Sequence, residues 1–139
     1  MDSKFLIIAI LVNAAIAVAS LAAGAVSLSG VVGGFIVGFL ILYFGGWGSF
    51  GVLFLFFVLG SAATRLGYRR KAALGVAQED KGRRGAKHAF ANCGTGAGAA
   101  VAYHFLYHAG HPDASAMLVV LAAGFATALF DTASSEIGQ

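Results

Sequence analysis

From Phe5 to Thr64 the chain carries no Asp, Glu, Lys or Arg. Such a stretch supplies about three times the roughly 20 apolar residues that one helical crossing of a bilayer requires. In hydrocarbon every backbone N–H and C=O must be satisfied internally, which leaves helices or closed barrels. The run is continuous rather than alternating, so outer-membrane strands are excluded. The fold class that follows is all-α, a polytopic transmembrane helical bundle. Composition agrees: 59% of residues are hydrophobic and 11% charged, against about 25% charged in a soluble domain. A water-soluble globule and a disordered chain are therefore excluded. The single Cys93 excludes a disulfide-framed module.

Patterning predicts about five helices, over Phe5 to Ala23, Ser27 to Phe44, Phe50 to Leu66, Ala89 to Tyr107 and Ala114 to Phe130. Gly45-Gly46-Trp47-Gly48 separates the second from the third, and one charged loop separates the third from the fourth. Lys4 before an apolar run resembles the start of a signal peptide. The run continues through three spans without a cleavage context, however, so it is read as a first transmembrane helix. Tyr43, Trp47 and Tyr107 fall where interfacial aromatics are expected. Residues 1–139 are read as a single transmembrane domain. Gly34 and Gly38, and the interleaved Gly94, Gly96 and Gly98, read as close helix packing. A nucleotide-binding loop at Gly94 to Gly98 is the weaker alternative, because no strand precedes it and no Walker lysine follows.

Eight of the nine Lys and Arg lie between Arg65 and Lys87. By the positive-inside tendency this basic loop faces the cytoplasm, which puts the N-terminus, three spans upstream, outside. A basic loop beside apolar helices is a topology signal rather than a nucleic-acid surface, so no nucleic acid is expected as a partner. The last two helices form a hairpin that returns to the loop's face. Asp131 and Glu136, just past the fifth helix, then share that face.

The residues of this face carry the candidate chemistry. Two carboxylates among Thr132, Ser134 and Ser135 offer hard oxygen ligands suited to magnesium carrying phosphates. The alternative is a solvated polar helix end. Asp131 and Ser135 share a helical face, whereas Glu136 is about 140° round, so both carboxylates converge only if the helix bends near Ser134. Arg83 and Arg84, between Gly82 and Gly85, can fork onto phosphate oxygens; the alternative is attraction to anionic headgroups. Asn92 stands near the same face and would orient a ligand or form an interhelical hydrogen bond. His104, His108 and His111 with Asp113 have a spacing compatible with zinc. They lie towards the outer face, where interfacial histidines are commoner. Cys93, with no base and no second cysteine, reads as structural. The chain contains no Walker phosphate loop, no HExxH, no GxSxG and no CxxC pair.

Several pieces taken in order resemble a known family of membrane proteins. They are Gly45-Gly46-Trp47, Phe56 to Arg65, Lys71-Ala72-Ala73-Leu74-Gly75, Gly82-Arg83-Arg84-Gly85, Ala91-Asn92-Cys93-Gly94 and Asp131 to Gly138. The family is that of transmembrane protein nineteen, also called domain of unknown function ninety-two, and it includes the plant phytyl-phosphate kinase of tocopherol synthesis. The resemblance implies a CTP-dependent prenyl-phosphate kinase that forms an isoprenoid diphosphate, with Mg2+ as cofactor. It implies that Asp131, Glu136 and Lys71 serve catalysis, the two carboxylates by binding metal. Arg83, Arg84, Asn92 and Ser135 would bind and orient phosphates. Family members usually continue beyond the final acidic motif, so the resemblance also implies a chain truncated at its C-terminus, either a piece or a half-size form completed by association. The expected partners are membrane lipids, a prenyl monophosphate, a nucleotide and, for a half-size form, a second copy. A lipid-phosphate carrier or flippase and a non-catalytic assembly unit remain as alternative readings of the same residues.

Overall fold

The computed structural model describes the backbone of residues 3–73 and 85–137, and the side chains of 3–67 and 85–136. Its elements are α1 (Ser3–Ala22), α2 (Leu28–Ala73), α3 (Ala86–His108) and α4 (Ala116–Ile137). Among the described residues the predicted count of five is thereby corrected to four. The second and third predicted helices are two arms of α2, interrupted at the single residue Gly46 with φ 76° and ψ −177°. That backbone region is open to glycine almost alone. Gly45, Trp47 and Gly48 stay helical, so the break is one residue wide rather than four.

The chain reverses at Gly46. Val37 and Phe56 belong to one buried cluster, although a straight helix would hold them about 28 Å apart. α2 is therefore a helical hairpin, and the molecule still passes along the bundle axis five times.

Three helical stretches among the described residues are long and apolar enough to cross a membrane: Ser3–Ala22, the double-length Leu28–Gly67, and Ala116–Glu136. α3 is less apolar because it carries Lys87, His88, Asn92, His104 and His108, and its packing face is made of small residues. Cys93, Gly96, Ala97, Ala99 and Ala100 are buried, and they join Val37, Ile41, Phe56, Leu121 and Phe125 in the main core. A side chain on Gly96 would lie 2.7 Å from the Phe125 ring. The close-packing reading of that glycine therefore holds, while Gly94 and Gly98 face open space. α1 packs on α2 through Ala9, Leu42 and Phe50.

Tertiary contacts define two ends. At one, Phe5 stacks on Tyr43 at 6.2 Å and meets the edge of Trp47, so the start of α1 lies beside the Gly46 turn. Phe44 packs there against His104 near the end of α3. At the other end, Arg65 Nη2 donates to the Ala23 carbonyl at 2.5 Å. A side chain on Gly33 would lie 3.0 Å from the Ala86 backbone, and one on Gly67 would overlap the Glu136 carboxylate. This second end thus gathers the close of α1, both termini of α2, the start of α3 and the close of α4. The basic segment leaves α2 and re-enters at α3 here, opposite the N-terminus.

Helix ends also differ from the sequence expectation. α2 runs past Leu66 to Ala73, and α4 runs past Phe130 to Ile137. The polar residues of α4 do not break it because their hydroxyls fold back on the helix. Thr132 donates to the Ala128 carbonyl at 2.9 Å, Ser134 to Phe130 at 2.5 Å and Ser135 to Thr132 at 2.9 Å. Such back-bonding is how Ser and Thr sit inside a helix without competing for it.

Candidate functional site at the basic end of the bundle

The last turns of α4 carry the acidic residues, and their position follows from the packing of α4 on α2. Glu136 is half-buried and occupies the space that a side chain on Gly67 would take. Glycine at 67 is thus what lets the carboxyl-bearing turn of α4 approach the second arm of α2. Asp131 is exposed. Because α4 stays helical to Ile137, the two carboxylates stand about 140° apart round the axis. No bend near Ser134 brings them together. Among the described residues no three His, Cys, Asp or Glu side chains are grouped to hold a metal ion. The donor set fits a magnesium ion that keeps waters and phosphate oxygens as its other ligands, held by one carboxylate at a time, and it does not fit a closed protein cage.

Ser135 is exposed with its hydroxyl given to the Thr132 carbonyl. Asn92 is half-buried one turn beyond His88, and its amide makes no hydrogen bond among the described residues. Lys71 lies on the last turn of α2 with its side chain outside the described residues, and Arg83 and Arg84 lie wholly outside them. The sequence joins Arg84 directly to Gly85, the residue that opens α3. Exposed Lys87 and His88 follow on the first turn.

The histidines at the opposite end do not form a metal site among the described residues. The His104 and His108 rings pack edge to face at 4.4 Å. His111 Nδ1 accepts a hydrogen bond from the Asp113 N–H at 3.2 Å. Cys93 is buried in the core, in keeping with a structural role.

One feature escaped the sequence reading. An apolar groove lies between α1, both arms of α2 and the start of α3, with an empty volume of about 770 Å³ including its open side. Gly30, Gly34 and Gly38 form part of its wall, and Gly85 and His88 stand at the basic end. The four-residue spacing of Gly34 and Gly38 was the available signal. Packing accounts for Gly38, against which the Asn13 side chain rests, but not for Gly34, which faces open space.

Comparison with known proteins decides the family. The family described as Integral membrane protein DUF92 matches residues 11–139. The chain belongs to this family. Within it, the chain is 34% identical over 114 residues to "Protein VTE6, chloroplastic" of Arabidopsis thaliana, an alignment covering 81% of this chain and 34% of that protein. It is also 34% identical over 96 residues to "Uncharacterized membrane protein sll0875" of Synechocystis sp., covering 68% of this chain and 35% of the relative. This DUF92 chain therefore spans about a third of the length of the curated relatives it matches. No solved structure matches it. Family membership and the apolar helices together make it an integral membrane protein.

Proposed function

We propose that this DUF92-family protein works as a prenyl-phosphate kinase, transferring a phosphoryl group from CTP to an isoprenoid monophosphate at the cytoplasmic membrane face. The observation that carries the reading is the close approach of Glu136 to Gly67. It sets an acidic helix end beside the point where the basic segment leaves α2. The family resemblance, which includes the plant phytyl-phosphate kinase, supplies the reaction class. In that reaction an oxygen of the prenyl monophosphate attacks the γ-phosphorus, the bond to the β-phosphate oxygen breaks, and CDP leaves. Such transfer depends on positioning and charge stabilisation more than on covalent help from the protein. Lys71, Arg83 and Arg84 would neutralise and hold the phosphates, while Asn92 and Ser135 orient them. Asp131 or Glu136, one carboxylate at a time because they stand on separate faces of α4, would hold Mg2+, whose chemistry is to neutralise charge on the transferring phosphates.

The test is turnover by detergent-purified, folded protein given Mg2+, CTP or ATP, and phytyl or farnesyl monophosphate. Diphosphate should form with CTP, and Asp131→Ala should lower its rate by about 10² or more. Absence of diphosphate with either donor and either acceptor would sink the kinase. The open groove at the same end favours a second reading, a lipid-phosphate carrier. Transport into liposomes without nucleotide would support that reading instead.

A further inference from the structure

We propose that the groove between α1 and the α2 hairpin holds the single isoprenoid chain of a phosphate-bearing lipid, with the phosphate at the Lys87–His88 turn and the tail pointing to mid-bilayer. The ligand's identity rests on the kinase reading above; the site itself rests on geometry. The groove has a closed end and an open end of different chemistry. At depth, Asn13 is 5% exposed, donates Nδ2–H to the Ala9 carbonyl at 2.8 Å and fills the space against Gly38. Phe50 stands at the same level. From Asn13 to the end of α1 at Ala22 the helix rises about 14 Å, close to half of a bilayer's roughly 30 Å hydrocarbon core. The trough therefore runs the depth of one leaflet and stops there. At its open end lie Gly85 and His88, with exposed Lys87 beside them and Arg65 bonded to Ala23, where α1 turns into α2.

Apolar depth beneath a basic rim is complementary to a lipid that is apolar along its length and anionic at one end. Glycine at 30 and 34 removes a side chain from two successive turns of one wall, up to the Asn13 side chain that rests on Gly38, giving a slot for one chain; a diacyl phospholipid would leave a second tail outside it.

Gly34 offers a clean probe. A side chain there meets nothing within 4 Å and enters the groove, so Gly34→Leu should fill the slot without disturbing the fold. Gly98→Leu also enters open space but lies outside the groove lining, and serves as control. The measurement is equilibrium binding of tritiated phytyl monophosphate to the full chain in detergent, with no nucleotide present, alongside a thermal melt of each variant. Gly34→Leu should weaken binding at least tenfold with an unchanged melt, and Gly98→Leu should bind as the wild type does. If Gly34→Leu melts early, a photoreactive phytyl monophosphate bound to the wild type should label peptides around Gly34 and Ala17 rather than α4. Equal binding by well-folded Gly34→Leu, labelling confined to α4, or equal displacement by phosphatidylglycerol would each overturn the proposal. Binding that Gly34→Leu abolishes, in a protein with no turnover, would retain the groove and discard the kinase. Turnover of phytyl monophosphate that Gly34→Leu leaves intact would do the reverse.

Discussion

At the scale of the residue, the molecule depends on places where a missing side chain admits a polar one. Gly67 and Glu136 form one such place, and Gly38 and Asn13 another. A methyl group at 67 would lie 2.9 Å from both Cβ and Cδ of Glu136, so more than the tip of a flexible chain must move. Gly67→Ala should therefore cost about 1–3 kcal/mol, as overpacking of a fitted contact does. Glu136→Ala removes the carboxyl part of the obstacle and keeps the Cβ at 2.9 Å. In that background Gly67→Ala should cost less than it does in the wild type, and a double-mutant cycle in thermal melts would read the difference as coupling. Additive losses would mean that the two residues do not share the space. The same cycle bears on the kinase reading, because Gly67→Ala displaces a proposed metal carboxylate without altering its charge. Its turnover with CTP should fall further than its stability explains. The sequence displays Glu136 as a carboxylate near a basic loop but conceals this partnership. Gly67 is one of 20 glycines, and only the crossing of α2 and α4 distinguishes it.

At the scale of the element, Gly46 converts one uncharged run into two antiparallel arms. Its φ of 76° with ψ of −177° places it in a region where a Cβ is strained whatever room surrounds it. Gly46→Ala should destabilise the hairpin by about 1–3 kcal/mol, seen as an early melt in detergent. Gly48→Ala, also in open space but helical, should change little. A melt unaffected by Gly46→Ala would mean that the turn does not need the left-handed backbone. Three glycines around Trp47 made a break here legible from sequence. Which one carries it was not legible, because all three tolerate such a conformation and only long-range packing of Val37 on Phe56 selects the register. The end of α4 shows the converse. Asp131 to Glu136 looked like the polar exit of a helix, yet hydroxyl back-bonds carry the helix through them. That continuity holds the two carboxylates on separate faces, which spacing alone left open.

At the scale of the whole molecule, five passes along one axis leave the N-terminus and the basic segment at opposite ends. This followed from the count of apolar runs and the clustering of Lys and Arg, and the contacts of Phe5 with Trp47 and of Arg65 with Ala23 give the same arrangement independently. Which end meets the cytoplasm is a matter of charge. Eight basic residues against Glu79 and Asp80 in one segment are expected to stay on the side from which the chain inserts, because moving Lys and Arg across the membrane is unfavourable. Cysteine labelling tests both statements at once. Cys93 is buried in the core, so Cys93→Ala is a volume-tolerant background in which Ser3→Cys and Lys87→Cys can be placed singly at exposed positions. In sealed, right-side-out vesicles an impermeant maleimide should label Ser3→Cys directly and reach Lys87→Cys only after permeabilisation. Labelling of both from one side would contradict an odd number of passes, and with it the hairpin at Gly46. Reversed labelling would keep the fold but turn the basic end outward. A kinase drawing CTP from the cytoplasm could not then work there, whereas a carrier loading its lipid phosphate from the outer leaflet could.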